Sequence, residues 1–234
     1  MDKESLNKYL EEVSAGISQA NFSAAAQRKR YKQGYSFSGF PTTEQLIIWD
    51  FVWTHSDSFW VKIQSFFFCE QLFKKSEELK SIWPTIVNWQ DQVNSWGLSD
   101  CLSKIYSKIL EIAPEIVYPI LVSWNTDSNL WKRRQSLVSL IYYNSVRNSV
   151  LPFDKLAPLI QNLLNDQEYY VQKGLGWTLR ELAVRYPVDT INFLTKNVSL
   201  ISPTAFSTAI SKLKSEEKTK LKVLRKEKKA TNRR

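Results

Sequence analysis

The sequence predicts an all-α fold, an α-solenoid of antiparallel helix pairs, on three observations. Nearly every segment repeats apolar residues at the three-and-four spacing of a helix face. No sustained alternating, β-branched run occurs. Only 6 glycines appear in 234 residues, too few for a turn-rich β architecture. With 43% hydrophobic and 24% charged residues, the chain can build one or two domains around a sizeable core.

Taken in order, residues 3–14 and about 17–33 read as two short helices. The second ends in the basic run RKRYKQ from Arg28 to Gln33, which is either a solvated face or a phosphate contact. Gly39 and Pro41 mark a loop between Tyr35 and Gln45, with Thr42 or Thr43 as the next N-cap. Helices follow at about 43–54, 57–73, 76–91, 97–111, 114–125, 128–146, 153–165, 167–186, 188–195 and 203–213. Similar segments start at Trp60, Ser99, Trp131, Val171 and Ala205, about 39, 32, 40 and 34 residues apart. Helix pairs at that period are HEAT-like repeats, which stack into a curved solenoid whose second helices line the concave face. Residues 1–214 are assigned to a single HEAT-like repeat domain. Residues 215–234 are assigned to a basic, flexible tail, disordered or a frayed helix.

The net charge of +9 is unevenly spread. Lys212 to Arg234 hold 11 basic and 3 acidic residues, so the other 211 residues carry only about +1. The body therefore meets phosphates through local patches, and the tail supplies nonspecific, salt-sensitive affinity. Cys69 and Cys101 are too few for a disulfide framework and lack metal spacing. The one histidine, His55, sits in a polar turn. The N-terminus is polar and amphipathic rather than a signal peptide, and no apolar run approaches the roughly 18 residues of a membrane helix. The expectation is a cytoplasmic monomer without metal, cofactor or obligate protein partner.

Tyr169 to Leu182, YYVQKGLGWTLREL, organises the rest. Val171, Leu175, Leu179 and Leu182 fall on one face. Gly174 and Gly176 each cost a helix about 1 kcal/mol relative to alanine, so something should approach the backbone closely there. Trp177 either fills the core or, with Lys173 and Arg180, presents a ring and cations to a sugar-phosphate ligand. The helix at Leu130 brings in Lys132, Arg133 and Arg134, and with the N-terminal amides these make a phosphate clamp. Lys132 and Arg133 alternatively face solvent, whereas Arg134 can point inward. Trp96 and Asp100 lie four apart on one helix face. Asp100 caps a helix start or stabilises a developing positive charge and positions a water.

These residues resemble the DNA alkylation repair family of AlkD-type DNA glycosylases, which are built from HEAT-like repeats. The resemblance runs from about Arg28 to Lys214. Trp96 and Asp100 match a Trp-x-x-x-Asp element, and Trp131 and Arg134 a Trp-x-x-Arg helix opening. Gln172, Lys173, Gly176, Trp177, Leu179, Arg180 and Glu181 match a third, more specific element. YSFSGFPTTEQ resembles the family's F-x-F-x-G loop. The resemblance implies a concave cleft for double-stranded DNA containing alkylated purines. It also implies cofactor-free hydrolysis of the N-glycosidic bond of N3- and N7-alkylpurines without base flipping. Trp96, Trp177 and Asp100 would be catalytic; Arg134 and Arg180, with Lys173, Arg133 and Lys132, would hold phosphates. Three positions depart from the pattern. Arg30 stands where the family often has a DNA-touching Tyr, with Tyr31 beside it. Ser95 and Gly97 flank Trp96, and Gly97 loosens that helix start. The competing reading is a non-catalytic HEAT-repeat DNA-binding or protein-scaffold module.

Overall fold

The structure is a computed structural model that describes residues 1–18 and 22–231. Among the described residues there are helices and turns and no strand. The helices are α1 (Lys3–Ser18), α2 (Ala24–Lys32), α3 (Thr42–His55), α4 (Phe59–Gln71), α5 (Ser76–Ser81), α6 (Trp83–Ile86), α7 (Trp96–Ile112) and α8 (Pro114–Trp124). They continue as α9 (Leu130–Val138), α10 (Phe153–Asn162), α11 (Tyr169–Arg185), α12 (Pro187–Asn197), α13 (Pro203–Ala209) and α14 (Ser215–Thr231). The chain divides into two compact units, Met1–Ile105 and Tyr106–Arg234, and the division falls inside α7.

Two expected helices are interrupted. The segment 76–91 becomes α5, α6 and a 3-10 stretch over Val87–Gln92. Pro84 is the cause: it sits in the first turn of α6, where its missing N–H costs nothing, and cannot continue a helix from α5. The helix expected over 128–146 stops at Val138. Tyr143 then takes φ 46°, the left-handed region, and turns the chain.

In the first unit, α1, α3 and α4 pack on one another and α2 packs on α4. Aromatic rings fill the space between. Trp49 meets Tyr35 and Phe37 edge-on at 5.5 and 5.1 Å. Trp53 stacks on Trp89 at 4.8 Å and donates its indole N–H to the Trp89 carbonyl at 3.1 Å. Trp89 in turn donates to Asp50 Oδ1 at 2.7 Å, so both rings of that stack have their polar edge satisfied, whereas the buried indole N–H of Trp49 has no partner. Arg30 turns inward onto the Tyr35 ring at 4.3 Å, and Tyr31 packs against Trp49 and Phe67.

In the second unit α11 is central. It packs on α9, α12 and α13. Val171, Leu175, Leu179 and Leu182 are fully buried, as their spacing requires, and each leucine contributes about 1.5–3 kcal/mol of apolar burial. The two glycines answer to different neighbours. A Cβ on Gly176 would lie 2.6 Å from the Ala205 carbonyl oxygen and 2.8 Å from its Cα, so α13 rests directly on the α11 backbone. A Cβ on Gly174 would meet only side chains of α9, Arg134 Nη1 and Val138 Cγ1, at 3.2 Å.

The stretch 215–234, expected as a mobile arm, is helical over Ser215–Thr231 and docked. Leu221 is 3% exposed. Arg225 donates to the carbonyls of Val198 at 2.7 Å and Ile201 at 2.6 Å, just past the end of α12, and lies over the Phe206 ring. Carbonyls at a helix C-terminus lack internal partners and attract a cation. The last three residues of that stretch, 232–234, lie outside the described residues.

Substitution of the two glycines should separate their roles. Gly176→Ala must push backbone from backbone and is expected to destabilise by about 1–3 kcal/mol. Gly174→Ala displaces flexible side chains and regains about 1 kcal/mol of helix propensity, so it should stay near wild type. Urea unfolding of both variants checks the contrast; equal losses would show that the Ala205 approach is not the constraint.

Candidate active site

The nine tryptophans sort by burial. Trp49, Trp53, Trp83, Trp89 and Trp124 are core, and Trp60, Trp131 and Trp177 are half-buried. Trp96 is 58% exposed. It opens α7, with Asp100 one turn later and half-buried. The first turn is held by Ser95, whose Oγ accepts from Leu98 N at 3.5 Å and whose carbonyl accepts from Ser99 N at 3.1 Å. Asp100 is the fifth residue of the helix, beyond the reach of an N-cap, so the capping alternative fails. Gly97 does not loosen the start: a Cβ there would lie 2.8 Å from the Phe59 ring, so the glycine admits α4 against the first turn of α7.

An ion triad joins three helices at α7. Glu70 on α4 accepts from Arg28 on α2 and Lys104 on α7. Burial pushes the Glu70 carboxyl up, but the hydrogen bonds from Arg28 and Lys104 outweigh it and hold the group below its ordinary value. Beside Asp100, burial pushes the Cys101 thiol up to about 12, with the Asp100 and Glu70 charges adding to the effect. That thiol is no nucleophile near neutral pH.

The second unit presents the remaining candidates. Trp177 on α11 is gripped edge-on by Tyr142 and Tyr143, with centroids at 5.2 and 5.3 Å and both planes at 80°. Tyr143 has a left-handed backbone, φ 46°, a conformation that costs of order 1–3 kcal/mol and persists where surroundings enforce it. Arg180 Nε donates to Glu181 Oε1 at 3.1 Å, and Lys212 Nζ reaches the same oxygen at 2.8 Å. Glu181 is buried, and the Arg180 side chain remains partly open to solvent. Lys173 is exposed and lies over the Tyr169 ring at 5.9 Å.

The expected clamp at the start of α9 has internal partners. Asn129 Oδ1 caps the helix by accepting from Trp131 N at 2.8 Å. Arg133 donates to Asp166 Oδ2 at 2.6 Å and to the carbonyls of Asp127 and Ser128 at 2.8 Å. Lys132 Nζ is 3.7 Å from Asp127 Oδ2. Arg134 points inward: it is 5% exposed, crosses Gly174 and donates to the Tyr170 carbonyl at 2.8 Å. It ties α9 to α11.

Several contributors are absent from the sequence reading: Glu70 and Lys104 around α7, Lys212 at Arg180, and Tyr142 and Tyr143 at Trp177. Each pairs with a residue about 30 or more positions away and breaks no local pattern. Among the described residues, no three His, Cys, Asp or Glu side chains are placed to hold a metal ion, and no helix is long and apolar enough to cross a membrane.

The chain matches the family model for DNA alkylation repair enzymes over residues 55–213. Among solved structures, it is similar to AlkD2 from Streptococcus mutans, with 20% identity, TM-score 0.63, and 90% of this chain and 100% of that one covered. It is also similar to an Enterococcus faecalis protein described as a predicted DNA alkylation repair enzyme, with 18% identity, TM-score 0.65, and 92% and 97% covered. No curated protein matches significantly.

Removing the Glu70 charge should change the acid limb of stability. A carboxyl with a depressed folded pKa stabilises above its unfolded value, about 4.3, and that stability is lost as pH falls through the folded value. Glu70→Gln is expected to cost about 1–2 kcal/mol at neutral pH and nothing at pH well below 4. Unfolding at several pH values checks this; a pH-independent difference would contradict it.

Proposed function

Because the chain belongs to the DNA alkylation repair enzyme family, we propose that it is a monofunctional DNA glycosylase. Its substrate is duplex DNA carrying a cationic N3- or N7-alkylated purine, and the base is hydrolysed off without being flipped from the stack. The observation that carries the reading is Trp96: a tryptophan left 58% exposed, one turn from a carboxylate on the same helix. A structural tryptophan would be buried, as five of the others are.

The chemistry follows from charge. The alkylated purine is already positive, so when its bond to the sugar breaks the electron pair returns to the base, which leaves neutral. Positive charge moves to the deoxyribose, and no strong general acid is needed. Asp100 supplies a carboxylate against that growing charge and orients the water that adds to the sugar carbon. The electron-rich face of Trp96, on the same helix, favours the same cation, and Trp177 in the second unit is a ring of the same chemical kind. Tyr142 and Tyr143 hold the Trp177 ring. Exposed Lys173 and partly open Arg180 are the cations offered to phosphates, while Lys132 and Arg133 at the start of α9 would first have to exchange Asp127 and Asp166 for them. Arg134 acts on them indirectly, by fixing α11.

Asp100→Asn should leave duplex affinity within about twofold and slow single-turnover release of 7-methylguanine by 100-fold or more, the usual scale for losing one electrostatic stabiliser. Trp96→Ala, at an exposed site, should keep its stability and lose about tenfold in the same rate. Unchanged release by Asp100→Asn would remove that residue from the mechanism. Duplex binding without release by the wild type would favour a non-catalytic DNA-binding module.

A further inference from the structure

The last helix carries a charge pattern that the proposed reaction does not use. On α14, Lys218, Lys222, Lys226 and Lys229 are spaced four, four and three apart. At about 100° per residue they share one arc of roughly 80°. Acidic residues stay off that arc. Glu216 pairs with Lys220 at 2.6 Å, Glu217 accepts from Lys214 N at 3.1 Å, and Glu227 falls on the opposite side. Lys222 and Lys226 are exposed, and the other two are half-buried beside the docked face.

An ordinary solvated helix face alternates sign at this spacing, as Glu216 and Lys220 do, because like charges four apart repel. A mobile arm would let such charges spread. Here Leu221 and the Arg225 clamp on the Val198 and Ile201 carbonyls hold them in place. A polyanion relieves that fixed repulsion. Four-residue steps separate the lysines by about 6 Å along the helix. Alternate phosphates of one DNA strand are separated by about 7 Å along the duplex axis.

We propose that α14 is a docked phosphate-binding rail for the backbone of duplex DNA, adding sequence-independent affinity through Lys222 and Lys226. The choice of partner rests on the reading of the chain as a DNA-acting enzyme, but not on excision. The test measures binding of the full chain to an undamaged duplex across a salt series. Lys222→Gln with Lys226→Gln should lower the slope of log K against log salt by close to 2, at roughly 0.9 per lost phosphate contact. Arg225→Ala keeps every lysine of the stripe and removes the clamp; it should weaken binding about threefold or more while circular dichroism shows the rest of the chain folded. Equal slopes for the lysine variant and wild type would overturn the proposal. So would a reduced slope for the lysine variant with wild-type affinity for Arg225→Ala, which is how a mobile arm behaves. A wild-type protein that binds duplex with the expected slopes but releases no 7-methylguanine would defeat the glycosylase reading and leave the rail standing.

Discussion

The approach of Ala205 to the backbone of α11 at Gly176 is the constraint on which the second unit depends. A side chain of any size at that position would lift α13 off α11. With the glycine in place, the two helices meet backbone to backbone, and Lys212, just beyond α13, reaches Glu181. That carboxylate also receives Arg180. On the neighbouring face, Gly174 lets Arg134 cross from α9 and reach the Tyr170 carbonyl. Each glycine weakens the helix by about 1 kcal/mol, and the packing it admits fixes the orientation of Trp177 and Arg180.

The first unit solves a similar problem with charge. The start of α7 leaves a tryptophan in solvent, which forfeits apolar burial. The compensation lies on the helix's inner side: Glu70 draws Arg28 and Lys104 together, and Phe59 packs where Gly97 has no side chain. Glu70 is the buried member of this triad and its two cations stay partly open to solvent, so losing either one leaves the carboxylate less compensated. The helix can therefore expose Trp96, with half-buried Asp100 one turn on, without fraying.

Much of this was legible in the sequence because it depends on local periodicity. The helical class and the buried stripe of α11 follow from spacing alone, and so does the need for a close approach at its glycines. What was not legible depends on pairing at long range. Arg133 and Arg134 look like a clamp because they open a helix, yet Asp166 and the Tyr170 carbonyl claim them. The tail looks unstructured because lysine dominates it, yet Leu221 and Arg225, four apart, are buried against the body. Tyr143 is invisible beforehand because neither a left-handed backbone at a tyrosine nor a ring contact 34 residues away has a local signal.

Excision is the central property of the proposed enzyme, and one assay addresses it directly. A duplex with a single 7-methylguanine is mixed with excess purified protein, and free base and abasic sites are followed over time. A monofunctional glycosylase gives first-order appearance of both in equal amounts, without added metal or cofactor, and that is the expected result. Saturated binding of the duplex with neither product formed would contradict it.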